Sequence, residues 1–123
     1  MPVSTLAGAK KIEIPGLTAR PMAVPSRGSS ELAVWHLEVA PGVRGEEHTV
    51  DREEVFVVRT GRLSGTLGGV PCEVGPGDAL IVPPGVSFAL GNDGGEPAHA
   101  VVCTSAGVRA TLNGQVVVPP WSE

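Results

Sequence analysis

Glycine and proline punctuate this chain so often that it has no room for a long helix. They number 17 and 12, and the longest stretch free of both is 46–60, EEHTVDREEVFVVRT. Proline removes a hydrogen bond inside helices and central strands, and glycine weakens both. The one long uninterrupted stretch contains VFVV, a β-branched and aromatic run that prefers strand. Disorder is not the alternative. The chain is 41% hydrophobic and holds 19 valines, whereas disordered segments are poor in β-branched residues. Short Val-rich runs cut by turn residues describe an all-β sandwich or barrel. The 123 residues are enough for one core without disulfides or metals as staples.

The runs can be placed one by one. Residues 31–40, ELAVWHLEVA, alternate Ala33, Trp35, Leu37 and Val39 against Val34, His36, Glu38 and Ala40, which is strand periodicity with one greasy face. Strands are also expected at 11–14, 53–60, 70–74, 79–82, 86–90, 97–104, 108–112 and 115–118, with turns at PGVRG, GPGD and PPG. Asp51 and Glu54 have capping-box spacing, but the VFVV that follows them argues against a helix. Many short strands with turns every 8–12 residues read as a double-sheet jelly roll. No repeat, linker or low-complexity tract divides the chain, so one domain over 1–123 is expected, with a loose start over Met1–Ala9 and an N-terminal arm over 1–30, turn-rich around a further strand after 11–14.

Composition narrows the partners. The net charge is −4 and no basic patch is present, so the phosphate neutralisation that nucleic-acid binding needs is missing. No apolar run reaches membrane-spanning length. The first residues, MPVSTLAGAKKIEI, lack the apolar segment of a secretory signal. Cys72 and Cys103 lie far apart with no CxxC, which reads as two free thiols in a reducing cytoplasm, with a disulfide as the alternative.

Two segments carry a family resemblance. Gly42, His48, Val50, Glu54 and Gly61 have the spacing of G-x5-H-x-H-x3-E-x6-G, over about 42–61. Gly77, Pro83, Gly85, Phe88 and Asn92 have the spacing of G-x5-P-x-G-x2-H-x3-N, over about 77–92. In these two motifs the chain resembles the cupin family, whose fold is a double-stranded β-helix or jelly-roll barrel. The glycines suit reversals that need positive φ, the Pro83-Pro84 pair fixes a turn, and Asn92 can bond backbone in a turn. The resemblance implies four inward metal ligands, at His48, Val50, Glu54 and Phe88. Two of these four are hydrocarbon and donate no lone pair, whereas a divalent transition metal usually takes three or more protein ligands. The expectation is a degenerate metal site with no cofactor.

Side chains two apart in a strand share a face. If Glu54 points inward, so do Phe56 and Val58; His48 brings Val50, and Phe88 brings Val86 and Leu90. That gives an apolar pocket for a small apolar organic ligand around one imidazole and one carboxyl, the usual form of a small-molecule site. Apolar walls raise the pKa of Glu54, and His48 with Glu54 then reads as an acid/base pair for isomerisation, dehydration or cyclisation. Two other readings stand beside this one. A binding or sensor protein needs the pocket without the pair. A metal-dependent oxygenase needs one divalent ion, such as iron, manganese, nickel or zinc, on His48 and Glu54 with a third ligand recruited from His36 or His99. Trp35 and Trp121 are expected in core or interface. The resemblance to small cupins implies a homodimer paired through edge strands, which need covering, with the N-terminal arm and the VVVPPW tail as the segments that would pack on the second copy.

Overall fold

A computed structural model describes residues 3–123. The loose start expected over Met1–Ala9 therefore falls partly, at Met1 and Pro2, outside the described residues. The chain forms β1 (Ile12–Ile14), β2 (Leu17–Ala23), β3 (Leu32–Val39), β4 (Thr49–Val50), β5 (Glu54–Thr60) and β6 (Leu63–Leu67). It continues with β7 (Val70–Val74), β8 (Ala79–Val82), β9 (Phe88–Gly91), β10 (Ala98–Ser105), β11 (Ala110–Leu112) and β12 (Gln115–Val117). Among the described residues the only helical segments are two short 3₁₀ turns, Pro25–Arg27 and Pro120–Ser122.

A six-stranded sheet has the order β1-β2-β3-β10-β5-β8, and two three-stranded sheets have the orders β12-β11-β4 and β7-β6-β9. All their pairings are antiparallel. The two smaller sheets are stitched together just before β4. His48 and Phe88 exchange both backbone hydrogen bonds at 2.9 Å, and Gly42 and Gly45 donate to the carbonyls of Asn92 and Leu90 at 2.7 Å. The result is a second layer facing the first, the all-β jelly-roll barrel expected from the sequence.

The large sheet supplies the core in cross-strand rows. Trp35, Val102, Phe56 and Leu80 lie opposite one another across β3, β10, β5 and β8, and all four are buried. The next rows place Leu37 beside Ala100 and Val58, and Ala33 beside Thr104, Glu54 and Val82. Every inward position predicted from the alternation of β3 is buried: Ala33, Trp35, Leu37 and Val39. The segment read as an arm holds two strands, as expected. β1 and β2 are the first two strands from one edge of the large sheet, and Pro21 is accommodated beside a register shift in the β2–β3 pairing, where a missing N–H is tolerated.

The motif residues hold the reversals. Gly61, Gly77 and Gly85 take φ of +72°, +85° and +76°. At Gly61 a Cβ would also run into the carbonyl oxygen of Pro97. Asn92 is 1% exposed. Its amide nitrogen donates to the carbonyls of Val39 (3.1 Å) and Glu96 (2.7 Å), while its Oδ1 accepts from the Gly94 N–H at 3.0 Å. It thus ties the end of β9 to the end of β3. Asn92→Ala leaves the buried Val39 carbonyl short of that donor, so urea unfolding is expected to show a loss of about 2 kcal/mol. A change within 0.5 kcal/mol would mean that water replaces the amide.

Both cysteines are free: Cys72 on β7 and Cys103 on β10. Asp51, instead of capping a helix, accepts the Arg109 N–H at 2.8 Å. Among the described residues no helix is long and apolar enough to cross a membrane.

Candidate functional site

Between the two layers lies a cavity of about 490 Å³, within the range of small-molecule sites. The strands set its walls by their phase. On β5, Glu54 and Phe56 face it, since Glu54, Phe56 and Val58 are buried while Val57, Arg59 and Thr60 are exposed. On β3, Trp35 and Leu37 face it, and the β4 segment contributes His48 and Val50. Leu90 comes from β9, and Ala110 and Leu112 from β11. Polar lining side chains are few: Arg44, Glu46, His48 and Glu54.

Glu54 is the unusual member. It is 5% exposed, and among the described residues no hydrogen bond or ion pair reaches its carboxyl. Its cross-strand neighbours are Val82 and Thr104. The Thr104 hydroxyl does not help, because it donates to the Glu53 carbonyl at 2.6 Å. Burial alone therefore pushes the Glu54 carboxyl from 4.5 up to about 7, as expected for a charge moved away from water without compensation. At neutral pH it divides between acid and carboxylate, the state in which one group both gives and takes a proton.

His48 stands at the edge of the cavity. Its Nδ1 lies 3.0 Å from the Glu46 carbonyl oxygen. A carbonyl only accepts, so the contact places a proton on Nδ1, and in the neutral ring the lone pair is then on Nε2. The ring packs on Phe88, with centroids 4.2 Å apart and planes tilted by 44°. No hydrogen bond or ion pair joins His48 to Glu54 among the described residues. The two face one cavity without forming a bonded pair.

Of the expected pocket residues, His48, Val50, Glu54, Phe56 and Leu90 line the cavity, and Val58, Val86 and Phe88 do not. Phe88 is fully buried behind the wall, between the rings of His48 and Phe56. Val58 is 1% exposed and sits deeper in the core. Val86 precedes β9 and lies near the β6–β7 turn, within 3.7 Å of a Cβ position at Gly68.

The recruited-histidine reading is corrected by strand phase. His36 alternates with the buried Trp35 and Leu37, and His99 with the buried Ala98 and Ala100. Both therefore lie on the outer face of the large sheet, where His99 Nε2 is 3.6 Å from Glu38 Oε1. The wall of the sheet separates them from His48 and Glu54. Partial burial and the nearby Arg59, Arg20 and His99 charges lower the pKa of His36. The family's four ligand positions hold two donors here, with Val50 at 3% and Phe88 at 0% exposure in the other two. No group of three or more His, Cys, Asp or Glu side chains among the described residues is placed to hold a metal ion. The donor set does not fit a divalent transition metal.

The cavity also has a wall that strand alternation did not reveal. Val117, Val118, Pro119, Pro120 and Trp121 close one side of it. Trp121 packs on Trp35, with centroids 6.5 Å apart and a 53° tilt. The Ser26 N–H donates to the Glu123 carbonyl at 2.8 Å. The tail thus folds over its own barrel. The aromatic and proline content of the tail was visible in the sequence, but no periodicity pointed it at the barrel.

Comparison with solved structures gives the same architecture. The chain is similar to the polyketide cyclase RemF from Streptomyces resistomycificus, with a TM-score of 0.74 and 23% identity, covering 85% of this chain and 79% of that one. An RmlC-like cupin from Shewanella frigidimarina matches with a TM-score of 0.72 and 20% identity, over 84% and 88% of the two chains. A sugar phosphate isomerase of the cupin superfamily from Silicibacter pomeroyi gives 0.73 and 17%, over 93% and 83%. At these identities the likeness is one of fold. No curated protein matches the chain. The Cupin domain family matches residues 35–104, more than half of the 123, and this protein belongs to it.

Proposed function

We propose that this cupin binds a small apolar molecule in its barrel and transfers a proton on it without a metal, as an isomerase, dehydratase or cyclase does. The observation that carries the reading is the unpartnered Glu54 carboxyl, 5% exposed among hydrocarbon and titrating at about 7. A buried acid without a partner destabilises the fold, and such groups cluster where proton transfer is needed. The metal site is degenerate in this reading, because Val50 and Phe88 stand at two of its ligand positions.

The division of labour follows from the walls. Phe56, Leu37, Val50 and Leu90 exclude water and hold the substrate by apolar contact. The Glu54 carboxylate takes a proton from carbon beside a carbonyl, and the resulting acid returns it to carbon or to an oxygen that leaves. The His48 Nε2, free of the Glu46 contact, accepts a hydrogen bond from a substrate hydroxyl at the edge. A cytoplasmic homodimer accompanies this reading. The two free thiols support the compartment. The dimer is supported by apolar side chains on the outer face of the large sheet, Val57 at 40% and Ile81 at 56% exposure.

The test is hydrogen exchange on a probe ketone. Incubated in D₂O with 1-tetralone, the wild-type protein is expected to accelerate deuterium uptake beside the carbonyl, followed by NMR. Glu54→Gln is expected to lower that rate by about 100-fold, the low end for a positioned general base. Binding of the ketone without any acceleration favours the sensor reading and sinks the enzymatic one.

A further inference from the structure

We infer that the cavity is built for a flat aromatic ligand, stacked on Trp121 and bounded by Trp35 and Phe56. This rests on reading the cavity as the ligand site and names the class of molecule it takes.

The argument begins with scarcity. The whole chain has two Trp, two Phe and no Tyr. Three of those four rings, Trp35, Phe56 and Trp121, line this cavity, and the fourth, Phe88, packs against two rings that do, those of His48 and Phe56. The remaining core is built almost entirely of Val, Ala and Leu. Aromatic rings are large core-filling side chains, and they favour offset-stacked or edge-to-face contact with other rings. Here they are gathered around a space they leave unfilled. Trp35 and Trp121 meet at 53° with centroids 6.5 Å apart; Trp35 is 2% exposed, whereas Trp121 is half-buried and is the ring on which a third would stack.

The lining also argues against other ligands. A carbohydrate brings several hydroxyls, each needing a partner when buried. Glu54 is the only polar lining side chain that is buried, while Arg44 and Glu46 are exposed and His48 is partly so. That set offers a buried sugar a single buried polar side chain, although a sugar phosphate isomerase shares the fold. A saturated hydrocarbon would be served equally well by Val and Leu walls, and would leave the gathering of rings without a purpose. A fused-ring ligand with one or two oxygens uses the ring faces and sets an oxygen near Glu54 or His48.

The experiment compares 2-naphthol with decahydro-2-naphthol, which has the same carbon skeleton and hydroxyl without the π-system. Isothermal titration is expected to show the wild-type protein binding 2-naphthol about tenfold more tightly, the effect of one or two good ring contacts. Trp121→Leu is expected to remove that preference while still binding both probes, and Trp121→Phe to restore part of it. Trp121 lies in the terminal 3₁₀ turn, so the fold of these variants is checked by an unchanged far-UV spectrum and melt. Glu54→Gln is expected to keep the preference. Equal affinity for the two probes overturns the aromatic class and leaves the cavity as a ligand site. A preference that survives both Trp121→Leu and Phe56→Leu also overturns it. Failure of both probes to bind at millimolar concentration overturns this inference and the ligand-site reading together.

Discussion

Glu54→Gln is expected to be more stable than the wild-type protein at pH 8 and no more stable at pH 4. The carboxyl titrates at about 7 in the folded protein against 4.5 when free of burial. Below pH 4.5 it is protonated in both states and costs nothing extra. Between 4.5 and 7 the unfolded chain releases its proton while the folded protein keeps it, so the unfolded state is favoured as pH rises. Above 7 both are ionised and the penalty levels off. Its ceiling is about 3 kcal/mol, one pKa unit being about 1.4 kcal/mol. Glutamine mimics the neutral acid and escapes this penalty. For a chain of this size the difference corresponds to a melting point roughly 10 °C higher than wild type at pH 8. Other titrating groups are common to both proteins and cancel in the difference. Parallel melts from pH 4 to 8 read it directly. A constant offset, or a glutamine variant less stable at pH 8, would mean that Glu54 has a partner or reaches bulk water.

The second large effect belongs to Phe88. It is 0% exposed, and its ring lies 4.2 Å from His48 and 6.0 Å from Phe56, centroid to centroid. It does not line the cavity but backs two residues that do. Phe88→Ala is expected to cost about 4 kcal/mol in urea unfolding, the transfer term plus the hole left behind. The hole opens beside the cavity, so the His48 ring loses the surface that orients it. Binding of 2-naphthol is then expected to weaken even at temperatures where the variant remains folded. Phe88→Leu, which keeps most of the volume, is expected to recover about half of the stability. A loss below 1 kcal/mol for the alanine variant would mean that the neighbouring walls collapse into the space.

How much of this was legible in the sequence depends on the kind of regularity involved. The alternation of Ala33, Trp35, Leu37 and Val39 placed β3 and its face, because a period of two directly reports a half-buried strand. The paired motifs pointed to the barrel and to positions 48 and 88 as parts of one site, and the structure pairs the two by backbone bonds although residue 88 is phenylalanine. Depth was not legible. Alternation says which face a side chain takes, not how far along the barrel axis it lies. Phe56 and Val58 therefore looked equivalent, yet one lines the cavity and the other lies in the packed core. Val86 was assigned a phase as though β9 began there, and the strand starts at Phe88. The VVVPPW tail has no period, so its return over the barrel mouth left no trace in the pattern. β12, whose residues are all exposed, leads straight into the cavity wall of its own chain.

The order of strands in the large sheet bears on how the molecule is made. β10 lies between β3 and β5, so the centre of the sheet is filled by a strand that begins at Ala98. During synthesis β3 and β5 leave the ribosome long before it. Each then presents an open hydrogen-bonding edge beside apolar residues, the arrangement that invites pairing between nascent chains. Closure waits on contacts far apart in sequence, which makes folding slow relative to a helical domain of equal length. A stall in translation anywhere before residue 98 would release a half-sheet with its seam open.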